Sequence, residues 1–579
     1  MKRIGAYVVM NNVLVAINAK YIHSNLACLS LKSYAASKGQ HAQIAEYTIN
    51  QPMQQILADL FRHNPDVLFF SCYIWNMELV QELTKEFHKI NPSIPIYLGG
   101  PEVAFRAEEY VQEHPEIAGV MVGEGEVPFT KICQFYDRIG DYDKIPGLVW
   151  VTENGRVEVQ APAMPLALDE IPFCYPSLDG LDHKIIYYES SRGCPFSCTY
   201  CISSIDRHLR FRSLDKVFEE LQFFLDHKVT QVKFIDRTFN CNGAHALAIW
   251  RYILEHDNGV TNFQFEIAAD LLKADHMRVL SKMRPGLVQL EIGIQTTNFE
   301  TIREIHRTMS VGRVEEAVMA IHKMNNIHQH LDLIAGLPYE DYESFQNSFE
   351  DVYRLEPDQL QLGFLKVLRG SYMYEHAQEY GLVYTDKPPY EVLQSKWVTY
   401  GQMLNLKLVE EMVETYYNTG QFRATLPVVE TMYDTAFEFY LHLGAFYASV
   451  GWMDKKVSRL HKYVIVLQLV KNTAPELFDL VKETLLYDYY LREKAKKRPK
   501  WAPDISGQKK EIARALRLLG YEQKYCDLQP FTIPVWEIER GKPFPKCGDK
   551  KWVLFDYENR DVITNNAKVI ILEELPSES

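Results

Sequence analysis

The chain has 579 residues, a length that suits several domains and excludes a single small binding module. Its 76 acidic and 62 basic residues give a net charge of -14, which excludes a histone-like or polybasic coating protein. With 47% hydrophobic and 24% charged residues, the composition is that of an ordinary globular protein and predicts folded structure throughout the chain.

From residue 13 to about residue 140, short apolar runs alternate with amphipathic stretches. This is the pattern of a parallel sheet covered by helices, and it predicts a doubly wound, Rossmann-like α/β domain over residues 1–140. The functional edge of such a sheet lies at the carboxyl ends of its strands. The predicted strands are residues 13–18, 42–47, 67–71, 94–98 and 119–122.

Small and turn-forming residues stand at the ends of three of these predicted strands. Glycine allows a ligand to approach the backbone closely, because it has no side chain and tolerates a positive φ angle. Ordinary turns would give the same pattern, so glycine placement alone leaves both interpretations open. The residues are Ser71, Gly99, Gly100, Pro101, Gly123, Glu124, Gly125 and Glu126.

Residues 141–184 are predicted to be a linker, because the stretch 160–182 is rich in proline and acidic residues and has no periodicity. The alternation then restarts over residues 185–385. Six βα units in about 200 residues predict a partial, TIM-like barrel with its chemistry at the carboxyl ends of the strands. The predicted strands are residues 185–189, 231–236, 263–268, 287–295, 331–335 and 359–367.

Residues 386–579 lose this rhythm and are predicted to form a mainly helical C-terminal domain that ends with strands at 552–557 and 569–572. A basic run at 492–500, followed by Trp501, fits either contact with RNA or a solvated helix end. The acidic balance of the chain favours the solvated helix end.

The chain is predicted to be cytoplasmic, without a membrane partner. Ten cysteines over this length are too few for a disulfide scaffold, and the first residues lack the cleavage pattern of a signal peptide. The longest apolar stretch, residues 436–453, contains Glu438 and His442, which favours a buried helix over a membrane span.

Three cysteines carry the strongest chemical signal. Cys194, Cys198 and Cys201 follow the first strand of the second alternating region with C-x3-C-x2-C spacing. Three thiolates on one loop suit an iron-sulfur cluster, which normally has four cysteine ligands, so one iron would remain open for a substrate or cofactor. A zinc site would need a fourth ligand, and the nearest histidines, His183 and His208, are not at zinc-finger spacing.

This cysteine loop, on the first βα turn of a predicted six-unit barrel, resembles that of the radical S-adenosylmethionine (SAM) superfamily over residues 185–370. The resemblance implies a 4Fe-4S cluster whose open iron chelates SAM and which, when reduced, cleaves SAM to a 5'-deoxyadenosyl radical. It also implies an external electron donor such as flavodoxin or ferredoxin.

Further segments match this superfamily in the expected order along the chain. The resemblance implies contacts with SAM at six positions, some of them near its adenine or ribose. Taken singly, an acidic residue at a strand end is more often solvated or paired with a base, so the case depends on the order and spacing of the set. The implied SAM-binding residues are Tyr200, Asp236, Glu266, Gln295, Arg307 and Gly336.

The doubly wound domain in front of this barrel resembles the cobalamin-binding domain of cobalamin-dependent radical SAM proteins, and the C-terminal region resembles that of an uncharacterised branch. The resemblance implies that cobalamin binds at Ser71, Gly99, Gly100, Pro101, Gly123 and Gly125.

Many cobalamin-binding proteins have an Asp-x-His-x-x-Gly loop after the first strand, whose histidine binds cobalt. In residues 18–25 the aspartate is absent and His23 is misplaced, so we expect base-off cobalamin without a histidine ligand. His23 is expected to be a hydrogen-bonded residue near a helix start.

Two cofactor domains in tandem indicate an enzyme that activates a C-H bond with the deoxyadenosyl radical, with methyl transfer from cobalamin to an unreactive carbon as one outcome. Ring closure or rearrangement without methylation is an alternative, and a non-catalytic iron-sulfur or cobalamin carrier is another. The segments that resemble SAM-binding strands favour the enzyme, because a carrier would not need to bind SAM. The substrate class, small molecule or RNA, is left open.

Overall fold

The computed structural model describes residues 3–4, 7–8, 10–453 and 455–576, and the chain divides into two compact units. Both units are assembled from segments that are distant in sequence. The first contains residues 1–282, 303–309 and 364–396, and the second contains residues 283–302, 310–363 and 397–579.

A seven-stranded sheet opens the first unit, in the order β2-β1-β3-β4-β5-β6-β7. The first five strands in this order are parallel, and β6 and β7 are antiparallel to their neighbours. The strands are β1 (Asn12–Asn18), β2 (Ala42–Thr48), β3 (Val67–Ser71), β4 (Ile96–Gly99), β5 (Gly119–Met121), β6 (Leu148–Val151) and β7 (Val157–Val159). The helices are α1 (Leu26–Ser37), α2 (Met53–Arg62), α3 (Met77–Ile90), α4 (Pro101–Ala104), α5 (Ala107–Glu113) and α6 (Glu126–Tyr136).

Strand β1, which lies between β2 and β3, is buried on both faces of the sheet. Val13, Val15 and Ile17 belong to one core cluster, whereas Leu14 and Ala16 belong to another. Side chains alternate along a strand, so a continuous apolar run is what a parallel strand covered by helices on both sides requires. The prediction of a doubly wound α/β domain is confirmed.

The sheet continues into the segment predicted as a linker. Strands β6 and β7 lie between residues 148 and 159, and β7 forms the outer edge of the sheet. Edge strands are short and partly solvated, and Val151 and Val159 are both exposed. The hydrophobic periodicity of β6 and β7 is therefore weak, and their sequence resembles that of a linker.

Residues 186–364 alternate strands with helices, as predicted. The strands are β8 (Ile186–Tyr188), β9 (Ser191–Arg192), β10 (Arg210–Phe211), β11 (Gln231–Phe234), β12 (Asn262–Ile267), β13 (Val288–Gln295), β14 (His328–Ala335) and β15 (Gln359–Phe364). The helices are α7 (Leu214–Asp226), α8 (Gly243–Glu255), α9 (Ala274–Leu280), α10 (Phe299–Glu304), α11 (Val311–Met324) and α12 (Tyr342–Tyr353).

Six of these strands are the predicted barrel strands, and β9 and β10 form a separate antiparallel pair. In the first unit, β8, β11 and β12 are parallel neighbours. In the second unit, β13 pairs in parallel with β14, and β15 lies beside β14.

The remaining residues are mainly helical and end in a small sheet, in the order β18-β19-β20. The helices are α13 (Tyr372–Glu375), α14 (Tyr400–Met412), α15 (Leu426–Val429), α16 (Ala436–Ser449), α17 (Arg459–Thr473), α18 (Phe478–Arg492) and α19 (Lys509–Leu518). The strands are β16 (Val383–Tyr384), β17 (Val392–Gln394), β18 (Cys526–Phe531), β19 (Lys551–Arg560) and β20 (Ala567–Leu572).

Strand β18 is absent from the predicted elements. Its sequence contains Pro530, and proline within a run usually argues against a strand because it has no backbone N-H to donate. Here β18 is an edge strand that pairs with β19 alone, so the missing donor is tolerated.

The apolar stretch at 436–453 forms α16, whose side chains Phe437, Phe439, Tyr440 and Leu443 are fully buried. Among the residues that the structure describes, no helix is both long enough and apolar enough to cross a membrane.

The basic run at 492–500 packs on the C-terminal sheet region. The side chains of Arg492 and Lys494 donate hydrogen bonds to the carbonyl oxygens of Thr564 and Gln523. Arg498 donates through Nε to the Pro503 carbonyl at 2.8 Å and also contacts Gln529. Part of this run therefore stabilises the C-terminal region.

Candidate cofactor site

The cysteine loop connects β9 to β10, and these two strands pair with each other in antiparallel fashion. The N-H of Cys194 donates to the carbonyl of Asp206 at 3.0 Å, which ties the two ends of the loop together. Gly193 has a φ angle of +91°, and a Cβ atom there would lie 2.6 Å from the His208 carbonyl oxygen. Only glycine fits at this position, directly before the first cysteine.

Two of the three cysteines are buried. Cys194 and Cys198 are 8% and 9% exposed, and Cys201 is half-buried. Among the described residues, no three His, Cys, Asp or Glu side chains are grouped around a single ion position. The chemistry of the donor set nevertheless suits an iron-sulfur cluster, because it supplies three soft thiols on one loop.

A buried arginine lies beside this loop. Arg307 Nη1 lies 3.8 Å from Cys198 Sγ and donates to the Tyr200 hydroxyl at 3.2 Å. Burial raises the pKa of the Cys198 thiol, and the Arg307 guanidinium opposes that rise. A neighbouring cation favours the thiolate, which is the form that binds metal. Cys198, Tyr200 and Arg307 are thus brought together.

Asp236 fixes the residues directly before the cysteine loop through hydrogen bonds. Its carboxylate accepts hydrogen bonds from the N-H and hydroxyl of Ser190 and from the hydroxyl of Ser191, at 3.1, 2.7 and 2.5 Å. Burial raises its pKa, and only 1% of the residue is exposed. Asp236 therefore faces the loop backbone. Glu266, in β12, is half-buried.

Gln295 and Gly336 end neighbouring strands of the second unit. Gln295 follows an irregularity in the β13-β14 pairing and has a φ angle of +75°. Its Oε1 atom is buried without a hydrogen-bond partner among the described residues. A buried acceptor without a partner is costly in free energy.

A cavity of about 760 Å³ lies at the carboxyl edge of the first sheet. All six residues predicted for cobalamin line it, and sequence reasoning missed Tyr73 and Trp75, whose rings stack with centroids 4.4 Å apart. Residues before and after the cysteine loop also line the cavity, including Tyr187, Ile235 and Arg237. Its size and mixed lining suit part of a large cofactor.

The glycines of this edge also serve the packing of the protein itself. Gly100 has a φ angle of +117°, and a Cβ atom there would lie 2.4 Å from the Cys72 carbonyl oxygen. At this position the ordinary-turn interpretation therefore applies, because glycine is required whether or not a ligand is bound.

His23 is a hydrogen-bonded residue near the start of α1, and it lines the same cavity. Its Nδ1 atom lies 2.7 Å from the Tyr187 hydroxyl. Burial, Lys20 and Lys233 lower its pKa, which favours the neutral ring. The adjoining backbone is also fixed, because the Ile185 N-H donates to the Ile22 carbonyl at 2.7 Å.

Arg192 forms a network that sequence reasoning missed. It lies 2.8 Å from Glu189, 2.6 Å from Glu126 and 3.3 Å from Glu124. Burial alone would raise the pKa of Glu126, but the guanidinium outweighs this effect and holds the pKa below its usual value. Glycine-flanked acidic residues and an arginine before a cysteine are visible in the sequence, but no local pattern predicts that they pair.

Family models match three consecutive parts of the chain. A B12 binding domain matches residues 12–132, the radical SAM superfamily matches residues 188–352, and a protein of unknown function (DUF4080) matches residues 378–529.

Two curated relatives are each 26% identical to parts of the chain. One is the cobalamin-dependent radical SAM methyltransferase TokK of Streptomyces tokunonensis, matched over 49% of this chain and 44% of its own length. The other is an uncharacterized methyltransferase of Pyrococcus horikoshii, matched over 56% of this chain and 72% of its own length. The chain thus spans less than half of the Streptomyces protein.

A solved structure of the cobalamin-dependent S-adenosylmethionine radical enzyme OxsB has the same fold. It aligns with a TM-score of 0.58 over 83% of this chain and 79% of its own, at 15% identity. With both domain models matched in order, the recognition made from the cysteine loop and the sheet edge is confirmed. The chain thus joins a segment that matches the B12 binding domain to a segment that matches the radical SAM superfamily, in that order.

Proposed function

We propose that this chain is a cobalamin-dependent radical SAM methyltransferase, which transfers a methyl group to an unreactive carbon of a small molecule or an RNA. The main supporting observation is the cavity at the cobalamin-domain edge, which is also lined by Arg192 and Tyr187 beside the cysteine loop. One cavity bordered by both cofactor regions would allow both cofactors to act on one substrate.

The proposed roles follow from the contacts of each residue. Cys194, Cys198 and Cys201 would hold a 4Fe-4S cluster, and Arg307 would stabilise the thiolate of Cys198 at 3.8 Å. Asp236 would act as a positioning residue, since it is saturated by hydrogen bonds from the loop base.

The SAM-binding set would then comprise two residues in or beside the cysteine loop and three residues in or directly after barrel strands. The orphaned amide oxygen of Gln295 supports this assignment, because SAM offers hydroxyl and amino donors. When bound, the cluster, SAM and cobalamin would supply a carbon-centred radical and a methyl group, and an external donor such as flavodoxin or ferredoxin would supply the electron. The set is Tyr200, Glu266, Gln295, Arg307 and Gly336.

Cobalamin is proposed to bind base-off, without a protein imidazole. Ser71, Gly99, Gly100, Pro101, Gly123 and Gly125 would border it. The absence of an Asp-x-His-x-x-Gly loop in residues 18–25 supports the absence of a histidine ligand, and the backbone next to His23 is held by the hydrogen bond from the Ile185 N-H to the Ile22 carbonyl.

The test is anaerobic reconstitution with iron, sulfide, cobalamin, reductant and SAM carrying a labelled methyl group, followed by addition of extract from a strain lacking the gene. We expect 5'-deoxyadenosine together with a labelled product, and neither in a Cys198→Ala variant. Deoxyadenosine without label in the product would indicate ring closure or rearrangement instead. Loaded protein that yields no deoxyadenosine even with the extract would support a carrier.

A further inference from the structure

A buried ion-pair network joins the loop after β5 to the base of the cysteine loop. Arg192 pairs with Glu189 on its own segment and with Glu124 and Glu126, which are 66 or more residues away in sequence. Arg210, on the strand paired with β9, binds Glu124 as well. It also donates to the Leu166 carbonyl at 2.7 Å.

The centre of the network is shielded from solvent, whereas 27% of the Glu124 side chain is exposed. The side chains of Arg192 and Glu126 are 16% and 4% exposed, and Glu126 also accepts a hydrogen bond from the Ser30 hydroxyl at 2.9 Å. Surface ion pairs contribute little, but removing one partner of a buried pair leaves an uncompensated charge and is strongly destabilising. The geometry of both loops therefore depends on this network being complete.

The same side chains border the proposed cofactor sites. Arg192 stands two residues before Cys194, and Glu124 and Glu126 line the cavity assigned to cobalamin. A ligand that fills this cavity would restrict the loop after β5, which bears Glu124 and leads directly into Glu126 at the start of α6. Because that loop is held to Arg192, the restriction would extend to the cysteine loop.

We propose that Arg192 is a positioning residue that couples the two cofactor loops, so that bound cobalamin slows the loss of the cluster. This inference rests on the proposed function. Coupling between two binding sites is reciprocal, so the cluster must strengthen cobalamin binding by the same factor by which cobalamin strengthens cluster binding. A merely static brace would stabilise both loops equally whether or not a ligand is bound.

The test measures how fast a chelator removes the cluster from anaerobically loaded protein, with and without cobalamin. We expect cobalamin to slow cluster loss several-fold in the unaltered protein and to have almost no effect in Glu126→Gln. Glu189→Gln is the matched control, because it removes a carboxylate from the same guanidinium but leaves the pairs with the distant loop. It should keep most of the protection.

The dissociation constant of cobalamin, measured with and without the cluster, provides the reciprocal readout. Circular dichroism shows whether Glu126→Gln folds. If it does not, Glu124→Gln replaces it in the test, because this variant removes the carboxylate that Arg192 and Arg210 share. Equal protection in the unaltered protein and in the Glu126→Gln or Glu124→Gln variant overturns the coupling. So do two cofactors that bind independently, and this outcome leaves the proposed function standing. A protein that retains no cobalamin overturns both.

Discussion

Two arginine-containing regions of the molecule are used in different ways. Near the cysteine loop, Arg192 and Arg210 bind carboxylates from a distant loop that borders a cavity. In the C-terminal region, Arg492 and Arg498 donate mainly to backbone carbonyls and an amide of their own region. The dense basic run is the more conspicuous feature of the sequence, yet the isolated arginines lie beside the candidate site. The position of the partners, rather than the density of charge, separates the two regions.

The largest expected effect is loss of the cluster that the cysteine loop would hold. Replacing Cys194, Cys198 or Cys201 with alanine should abolish the cluster, because two thiolates are too few to hold it. The other seven of the ten cysteines should not substitute, since they lie outside this loop. Iron and sulfide analysis after anaerobic reconstitution checks this, with Cys241→Ala as the control that should retain both. Normal iron and sulfide in all three variants would overturn the assignment.

Arg192→Ala should be strongly destabilising. It leaves Glu126 and Glu189 without their buried cation, so we expect the free energy of unfolding to fall by about 3–5 kcal/mol. Arg192→Lys should recover only part of the loss, since an ammonium group cannot reproduce three directed contacts. Chemical denaturation measures both variants. A loss no larger than that of an exposed arginine would contradict the buried network.

Glu340 provides a test by pH in the second unit. Burial raises its pKa to about 7, against hydrogen bonds from Thr296 and Ser348. The folded protein therefore keeps a proton that the unfolded chain releases near pH 4.5, so the stability contributed by Glu340 is fully present below that pH and is lost as pH rises to about 7. The contribution is roughly 3 kcal/mol.

The measurement is the free energy of unfolding of the unaltered protein and of Glu340→Gln, which stays neutral, at several pH values. The difference between them should grow in favour of the glutamine variant as pH rises through this range and then remain constant. Other groups titrate in both proteins and cancel in the difference. A difference that does not change with pH would contradict a protonated Glu340.

The smallest expected effect comes from the C-terminal basic run. Arg498→Ala should lower the free energy of unfolding by about 1–2 kcal/mol, because it removes hydrogen bonds to Pro503 and Gln529. Iron, sulfide and cobalamin contents should be unchanged, and so should the affinity for total RNA in a filter-binding assay. A marked drop in RNA affinity would favour the RNA-contact alternative.

The sequence predicts what depends on local periodicity and spacing. The apolar run of β1 and the cysteine spacing are local patterns, so both the doubly wound domain and the radical SAM assignment are readable from them. Pairing between Arg192 and Glu126 is not local, and it depends on the three-dimensional arrangement of segments 66 residues apart. The steric conflict that a Cβ atom at Gly100 would have with the Cys72 carbonyl oxygen is likewise visible only in three dimensions.

The central claim is that the cavity beside the cysteine loop holds cobalamin without a protein imidazole. Electron paramagnetic resonance of the anaerobically loaded cob(II)alamin form tests it most directly. We predict a retained signal without nitrogen superhyperfine splitting, which is unchanged in His23→Ala. Nitrogen splitting that disappears in His23→Ala would contradict the absence of a histidine ligand, and failure to retain any cobalamin would contradict the site itself.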